Sequence, residues 1–256
     1  MKFKTLSIIS IVLFSNYNTA QADLVFKNGF EYPMVSLNDT GITWAGEYPS
    51  GNNTDCTSTT ITSSQDCNTG RDANLLTNSD DDGHAGFSFT KLDATGAPLI
   101  DQSADYATTP WACVKDNVTG LVWEVKTSTA GIHHQDNTYQ WGGLTAIGRD
   151  HPNRQGTYYD PSWNELVQGS IDDSLCGFDN WRVPTVAELS SIANKGTFNP
   201  SIDTNYFPNT VSTWFWSSSP IADNAFGTWT VYFYSGYDNY YGRDNYGRVR
   251  LVRSGQ

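Results

Sequence analysis

The sequence has little charge, little methionine and few long apolar runs. Charged residues make up 16% of the 256 positions, and there are two methionines and four cysteines. The most pronounced apolar run, Leu6–Phe14, is too short for a helix that spans a bilayer, because such a helix needs about 20 apolar residues. No later stretch is apolar enough, so we expect no membrane span.

The N-terminus has the three parts of a secretory signal peptide. Lys2 and Lys4 come first, the apolar run follows, and Ala20-Gln21-Ala22 supplies the small residues of a cleavage site. The pattern predicts a leader over residues 1–22 that is removed after Ala22. The rest of the chain is therefore expected to be exported and soluble: secreted, at the cell surface or in the periplasm.

The charge balance is strongly acidic. There are 27 acidic and 15 basic residues, and loss of Lys2 and Lys4 with the leader leaves 13 basic residues and a formal charge of −14. Such a chain is a poor partner for nucleic acid or anionic lipid. The same charge disfavours sulfated glycans unless basic residues cluster locally. The candidates for such a cluster lie near the C-terminus: Arg243, Arg248, Arg250 and Arg253.

The cysteines are expected to form disulfides, because the exported chain enters an oxidising compartment. The four residues are Cys56, Cys67, Cys113 and Cys176. Counting alone allows three pairings. We favour Cys56–Cys67 with Cys113–Cys176, since this pairing keeps each bridge within one half of the protein. None of the spacings is typical of a zinc site or a redox pair.

Aromatic content of 14% and frequent turn residues predict an all-β or α+β domain. Short apolar or alternating runs predict strands at Leu24–Phe26, Phe87–Leu92, Leu121–Val125, Trp214–Ser218, Thr228–Phe233 and Arg248–Leu251. Residues 51–70 are predicted to be loop. A helix is predicted to start at Pro161 with Asp160 as its cap. A second helix is predicted after Thr185, which has Glu188 at the spacing of a capping box.

One acidic segment has part of the pattern of a calcium loop. Asn78, Asp80 and Asp82 carry oxygens at alternate positions, and Gly83 permits a sharp bend. The EF-hand pattern then fails, because Phe89 stands where the closing Glu is required. We favour an acidic surface turn and keep calcium as the alternative. No other cofactor is expected.

Several longer motifs occur in a fixed order between Cys113 and Ser254: CVKDNVTGLVWEVKT, NWRVPTVAELSSI, NPSIDTNYFP, WFWSSSP and LVRS. Together they resemble the C-terminal domain family of the Legionella collagen-like protein, Lcl. The resemblance implies a C-type-lectin-like fold and binding of surface or matrix glycans. The predicted fold class is α+β: a C-type-lectin-like domain over 111–256 with two helices packed on antiparallel strands, preceded by a loop-rich, mainly β accessory segment over 23–110.

Only some of the properties that the resemblance implies are supported by residues of this sequence. The sugar-binding calcium tripeptides of C-type lectins, Glu-Pro-Asn and Trp-Asn-Asp, are absent from the sequence, so calcium-dependent sugar binding is not implied. The family also implies homotrimers. This chain has no collagen-like Gly-x-y tract that would enforce a trimer, so homo-oligomerisation stays an open prediction.

The segment Tyr234–Gly247 is the predicted ligand-binding loop. Tyr offers a broad, stiff surface at small entropy cost, and Asn and Asp supply adaptable hydrogen bonds, which suits the apolar faces and hydroxyl edges of sugars. The candidate binding residues, in this loop and just beyond it, are Tyr234, Tyr237, Asp238, Asn239, Tyr240, Tyr241, Arg243, Asp244, Asn245, Arg248 and Arg250. The alternative is a hairpin tip whose tyrosines cover the neighbouring sheet.

Three functional hypotheses follow. The first is an exported, non-catalytic recognition or adhesion protein that binds an extracellular glycan or a surface protein. The second is an enzyme of the formylglycine-generating type, which shares the C-type-lectin-like fold and needs reactive cysteines. The third is a structural envelope or matrix protein. We favour the first and predict no catalytic residue.

Overall fold

A computed structural model of the protein describes residues 38–47, 51–56, 58, 61, 64–71, 73–74, 76–77, 79–147 and 161–255. Four sequence predictions lie outside these residues: the leader, the strand Leu24–Phe26, the cap Asp160 and the calcium candidate Asn78.

The described residues form more strand than helix. In chain order the elements are β1 (Ala45–Glu47), β2 (Gly51–Asn53), α1 (Asp66–Thr69), β3 (Phe89–Leu92), β4 (Cys113–Asp116), β5 (Val122–Glu124), α2 (Pro161–Asp172), a 3₁₀ turn (Leu175–Gly177), α3 (Val186–Ser190), β6 (Trp214–Ile221), β7 (Asn224–Tyr232), β8 (Tyr237–Gly242) and β9 (Val252–Arg253). This composition confirms a mixed helix and sheet fold.

The first large sheet is antiparallel with the strand order β3-β4-β5-β9. Its β4–β5 turn forms because the Asp116 carboxylate accepts hydrogen bonds from the backbone N–H groups of Val118 (2.9 Å) and Thr119 (3.1 Å). Trp123 on β5 is fully buried. Strand β3 comes from the predicted accessory segment and pairs with β4 of the predicted main domain.

The second large sheet is antiparallel with the order β6-β7-β8. Strands β6 and β7 confirm the predictions from alternating residues. The prediction that Tyr234–Gly247 is all loop is wrong, because β8 occupies six of its residues. Asn, Asp and Gly favour turns, but the tyrosines favour strand and β7 supplies a partner for the backbone. Turns remain on either side of β8: one around Gly236, which has φ +76°, and one after Gly242.

Two further sequence predictions are wrong. Arg248–Leu251 is not a strand; the last strand is β9. Its alternation of polar and apolar residues was misleading, because Val249, Arg250 and Leu251 are all buried. The predicted loop over residues 51–70 contains β2 and the short helix α1.

The helices begin where the sequence predicted. Helix α2 starts at Pro161 and buries Trp163, Leu166 and Val167. Helix α3 has the predicted capping box: Thr185 Oγ1 accepts from the Glu188 N–H (3.3 Å), and Glu188 Oε2 accepts from the Thr185 N–H (2.8 Å). Within the described ranges, no helix has both the length and the apolar character needed to cross a membrane.

Tryptophan dominates the interior. Trp123, Trp141, Trp163, Trp181 and Trp216 are each at most 1% exposed. Buried indoles need hydrogen-bond acceptors, and the structure supplies backbone carbonyls for four of them. The Trp141 N–H, for example, donates to Ser217 O at 2.7 Å, and the others donate to Leu144, Leu175 and Tyr139. The bonds of Trp141 and Trp216 tie the chain before α2 to the three-stranded sheet.

Both favoured disulfides are present. Cys56 pairs with Cys67 and Cys113 with Cys176, with Cα–Cα distances of 5.2 Å and 6.4 Å. The second bridge links the start of β4 to the 3₁₀ turn after α2. The two bridges use all four cysteines, so no free cysteine remains.

Candidate functional site

The three-stranded sheet has one apolar face in the core and one face that carries aromatic rings. Side chains alternate along a strand, so Phe215 and Val231, both fully buried, point into the core. Their neighbours Trp214 and Tyr232 point to the other face. These two residues are directly paired across β6 and β7, and their rings stack with centroids 4.1 Å apart.

Further rings continue this contact across the strands. We name as the aromatic row, in spatial order, Phe198, Tyr234, Tyr232, Trp214, Tyr241 and Trp216. Successive centroids lie 6.4, 5.7, 4.1, 5.8 and 5.8 Å apart. One end of the row is fully buried at Trp216, whereas Phe198 at the other end is 73% exposed. The row therefore opens to solvent at the end formed by Phe198 and Tyr234.

Strand β8 divides the predicted binding residues between two faces. Tyr232 is paired with Tyr237, so Tyr237 and, two residues on, Asn239 lie on the face of the aromatic row. Asp238 and Tyr240 point the opposite way. Tyr237 and Tyr240 are nevertheless exposed to a similar degree, 68% and 61%. Both faces are open here because β8 is the edge strand of its sheet.

The polar residues after β8 form a turn beside the same sheet. Asp244 and Asn245 are exposed. The backbone O of Asp244 accepts a hydrogen bond from Gln140 Nε2 at 2.8 Å. Arg248 is half-buried, and one of its terminal nitrogens lies 3.5 Å from Asp136 Oδ1. The side chains of this turn therefore stay available to solvent while its backbone is fixed.

Arg243 and Arg250 lie inside the protein, away from the predicted binding surface. Arg243 is 1% exposed, with its guanidinium 4.3 Å from the centre of the Trp141 ring. Arg250 is 0% exposed and donates from Nη1 to the backbone O of Glu124 at 2.8 Å. Ring faces lie against both cations, and Arg243 Nε donates to the backbone O of Gly227 at 3.0 Å, but both terminal nitrogens of Arg243 are buried without a hydrogen-bond partner among the described residues. The predicted cluster of C-terminal arginines is therefore not a surface patch.

A buried ion network supports β5 and was not predicted. The carboxylate of Glu124 is 0% exposed and accepts from Lys126 Nζ at 2.7 Å and from the backbone N–H of Leu251 at 2.8 Å; His133 Nδ1 lies 2.8 Å away. Burial would raise the pKa of Glu124, but the Lys126 ammonium and His133 hold this pKa at about 2. Glu124 is therefore a fixed anion inside the fold.

The cations of this network are also desolvated. Burial lowers the pKa of Lys126 and, against the nearby Glu124 carboxylate, lowers the pKa of Arg250 to about 10. Arg250 also donates to Thr210 Oγ1 at 2.7 Å. Glu124, Lys126 and Arg250 are all buried among protein atoms, so the network fixes the fold around β5.

A cleft of about 610 Å³ lies on another side of the described residues, between segments near residues 80–84, 102–111 and 203–208. Trp111 and Tyr206 form its aromatic walls, and Lys91 Nζ lies 4.3 Å and 5.2 Å from the two ring centres. Lys91 also donates to Ala104 O at 2.9 Å. Burial raises the pKa of Asp203 and lowers that of Lys91. The lysine of the protein itself thus covers the aromatic walls.

The described calcium candidates bind their own loop. Asp80 Oδ1 accepts from the Ala85 N–H at 2.9 Å and lies 3.3 Å from His84 Nδ1. The Asp82 carboxylate accepts from Ser88 Oγ. In the described part of the chain, no group of three or more His, Cys, Asp or Glu side chains is arranged to hold a metal ion. These contacts fit the favoured acidic turn, and calcium binding stays a prediction.

Among the members of the aromatic row that are not fully buried, sequence reasoning missed three as candidate ligand contacts: Trp214, Tyr232 and Phe198. The signal for two of them was present, because Trp214 and Trp216 alternate on β6 and Tyr232 alternates with buried residues on β7. Phe198 gave no such signal. It reaches the row through the loop before Pro200, where the Asn199 N–H donates to Tyr234 O at 2.9 Å.

The comparisons with known proteins agree with the motif order. The family model of the Lcl C-terminal domain matches residues 112–253, which is more than half of the chain and includes both large sheets except β3. None of the curated proteins compared matches the chain. On the strength of the family match, this chain belongs to the Lcl C-terminal domain family.

Proposed function

We propose that this protein is an exported, non-catalytic recognition protein that binds an extracellular glycan. The domain is that of the Legionella collagen-like protein, which is consistent with a surface protein of the adhesion type. The proposal includes a C-type-lectin-like scaffold for the domain. The observation that carries it is the open end of the aromatic row, which lies beside the exposed Tyr237 and Asn239 on one face of an edge strand.

The chemistry of this face suits a sugar. Pyranose rings have apolar C–H faces and hydroxyl edges, so they need flat apolar surfaces beside hydrogen-bond donors and acceptors. Tyr234, Tyr237 and the exposed Phe198 offer flat surfaces, and the Asn239 amide and the tyrosine hydroxyls offer polar partners. Trp214 and Tyr232 already stack on each other, so they hold the row rigid and reduce the entropy cost of binding.

The export part of the proposal is supported by the cysteines. Both disulfides are typical of proteins that fold in an oxidising compartment. The same pairing bears on the formylglycine-generating hypothesis. That chemistry needs reactive thiols, and the two disulfides contain all four cysteines. The disulfides therefore disfavour the thiol-based enzyme hypothesis.

The test compares two tyrosines of β8 that form a matched pair. Tyr237 and Tyr240 have the same side chain, similar exposure and the same strand, but they point to opposite faces. The wild type and the variants Tyr237→Ala and Tyr240→Ala are applied to a glycan array. We expect the wild type to bind, Tyr237→Ala to bind about tenfold more weakly, and Tyr240→Ala to bind like the wild type.

Two results would overturn the proposal. One is the absence of binding to any glycan. The other is equal binding by all three proteins, which would remove the aromatic face from the interaction. Capture of a protein from the producing cell's own surface, lost in Tyr237→Ala, would favour the envelope or matrix hypothesis instead.

A further inference from the structure

We infer that residues 38–41, named here the support segment, position residues 194–201, named here the Phe198 loop, and so complete the open end of the aromatic row. This inference rests on the proposed function and assigns positioning residues to the same face. The support segment lies before residues 112–253, the part of the chain that the family model matches. The binding face therefore depends on residues outside the matched domain.

The support segment begins a sequence pattern that the chain uses twice. Residues 38–44 read NDTGITW, and residues 117–123 read NVTGLVW. The glycine has the same left-handed backbone in both copies, with φ +76° at Gly41 and +73° at Gly120. The surroundings differ, because a Cβ at Gly120 would meet no atom within 4 Å, whereas a Cβ at Gly41 would overlap the side-chain oxygen of Asn194. The first glycine is thus packed against the start of the Phe198 loop.

Backbone contacts also join the support segment to the Phe198 loop. The Lys195 N–H donates to Thr40 O at 2.7 Å. A Cβ at Gly196 would overlap Gly41 O, so the two backbones approach too closely for a side chain at position 196. Asn194 is 1% exposed, and its Oδ1 accepts from the Gly196 N–H at 2.9 Å. The start of the Phe198 loop is therefore fixed against residues 40 and 41.

The end of the Phe198 loop is bonded to the residues that follow β7. The Asn199 N–H donates to Tyr234 O at 2.9 Å, and the Ser201 N–H donates to Phe233 O at 2.6 Å. Between its two attachments, Phe198 is 73% exposed, and its ring centre lies 6.4 Å from that of Tyr234. Because the side chain of Phe198 is mostly exposed, the loop backbone and not core packing sets where this ring lies.

The support segment is itself held by other parts of the fold. The Thr40 hydroxyl donates to Asp66 at the start of α1. Asn38 Nδ2 donates at 2.8 Å to Oδ2 of Asp116, a fully buried residue of β4. A fixed segment can hold an exposed loop in one conformation. Holding the loop before a ligand arrives lowers the entropy cost of binding, so loss of this contact should weaken binding.

The first experiment needs no ligand and uses two glycine variants of the full chain. Gly41→Ala and Gly120→Ala both put alanine at positive φ and share that backbone strain, but only the alanine at position 41 meets a neighbour. Amide hydrogen exchange is measured at Lys195, Asn199 and Ser201, whose N–H groups hold the Phe198 loop. We expect these amides to exchange at least about tenfold faster in Gly41→Ala and to change less than about twofold in Gly120→Ala.

A milder variant covers the case in which Gly41→Ala does not fold. Asn194→Ala removes the oxygen that accepts from the Gly196 N–H and adds no atom to the contact. We expect it to speed exchange of the same amides by at least about threefold. Where Gly41→Ala does fold, adding Asn194→Ala to it removes the overlapping oxygen and should restore part of its thermal stability.

The second experiment measures the affinity of the array glycan that the wild type binds most tightly, prepared as a soluble oligosaccharide. We expect Gly41→Ala and Phe198→Ala each to weaken this affinity by about fivefold, and Gly120→Ala to leave it unchanged. The double variant Gly41→Ala with Phe198→Ala should bind no more than about twofold more weakly than Phe198→Ala alone. A general loss of structure would instead give losses that add. Thermal unfolding checks that each variant is folded at the temperature of the measurement.

The outcomes separate this inference from the proposed function. Unchanged exchange in Gly41→Ala and Asn194→Ala, or equal changes in the two glycine variants, would overturn the positioning role whatever the protein binds. Faster exchange with unchanged glycan affinity, or additive losses in the double variant, would overturn the link between the support segment and the aromatic row. Failure of the wild type to bind any glycan would overturn the proposed function, whereas the exchange measurement would still decide whether the support segment holds the loop.

Discussion

The two large sheets use charged and aromatic residues in opposite ways. On and next to β5 in the four-stranded sheet, Glu124 and Lys126 are buried and paired. In and beside the three-stranded sheet, aromatic rings reach solvent at Tyr234 and Tyr237, and the one charged residue of β8, Asp238, is exposed. Charge thus has a structural role in one sheet, whereas the other sheet presents a mostly neutral, aromatic surface.

This difference separates residues that fix the fold from residues that are free to contact a ligand. A buried ion pair is costly to break, because the remaining charge loses both its partner and water. Replacing an exposed tyrosine on an edge strand changes the free energy of unfolding little, because few core contacts depend on it. Mutations in the first sheet should therefore lower stability, and mutations at the open face of the second should change binding alone.

The largest expected effect is loss of the Glu124 anion. Glu124→Gln leaves the Lys126 ammonium buried without its carboxylate, and we expect the free energy of unfolding to fall by about 3–5 kcal/mol. Urea unfolding measures the loss. Glu165→Gln, at an exposed position of α2, is the control and should change stability by less than about 0.5 kcal/mol. Similar losses in the two variants would contradict a structural role for the network.

The next largest loss of stability is expected on removal of a disulfide, and the two disulfides should differ. Removal of Cys113–Cys176, which closes a separation of 63 residues, should lower the free energy of unfolding by about 4 kcal/mol. Removal of Cys56–Cys67, with a separation of 11, should lower it by about 3 kcal/mol. Denaturant unfolding of the two double serine variants checks the order. A larger loss for the shorter loop would show that the longer bridge does not hold the β4 region as expected.

Acid should weaken the four-stranded sheet through Glu124. The folded pKa of about 2 lies below the ordinary value of 4.5, so the charged form stabilises the fold. This stability is fully present above pH 4.5 and is lost as pH falls toward 2, by about 2–3 kcal/mol. Unfolding measured across this range tests it. The Glu124→Gln variant should lack this part of the pH dependence, and an unchanged acid profile in it would refute the assignment.

The smallest effect on stability is expected at the open face. Tyr237→Ala should change the free energy of unfolding by less than about 0.5 kcal/mol, because this side chain is 68% exposed. The same variant should lose about tenfold in glycan affinity. Paired unfolding and binding measurements test this separation. A stability loss as large as that of Glu124→Gln would remove the contrast between the two sheets.

Local sequence signals predicted the parts of the fold that depend on local chemistry. The Thr185–Glu188 capping box is complete within four residues, and helix α3 begins there. The aromatic and β-branched residues of β6 and β7 also favour strand, so those strands were predictable, although burial does not alternate regularly along either one. The disulfide pairing followed from an assumption of bridges within each half, which the structure satisfies.

The failures come from contacts between distant residues. Arg250 lies in an alternating segment that indicated a strand with its charge at the surface, but it is buried against the backbone of Glu124, 126 residues earlier in the chain. Residues of β8 have turn chemistry, and only pairing with β7 makes them a strand. The aromatic row likewise needs Phe198, from a separate loop, so the full candidate site was not visible in any single segment.

Strand β8 is bonded within its sheet to one neighbour, β7, and its exposed side chains on both faces meet solvent. Exchanging the side chains at positions 237 to 240 therefore changes the surface of one strand and leaves the tryptophan-rich interior unchanged. This hairpin is a natural place to redirect the protein toward a different target by mutagenesis. A library confined to those four positions would sample new surfaces while every clone keeps the same two bridges and the same buried ions.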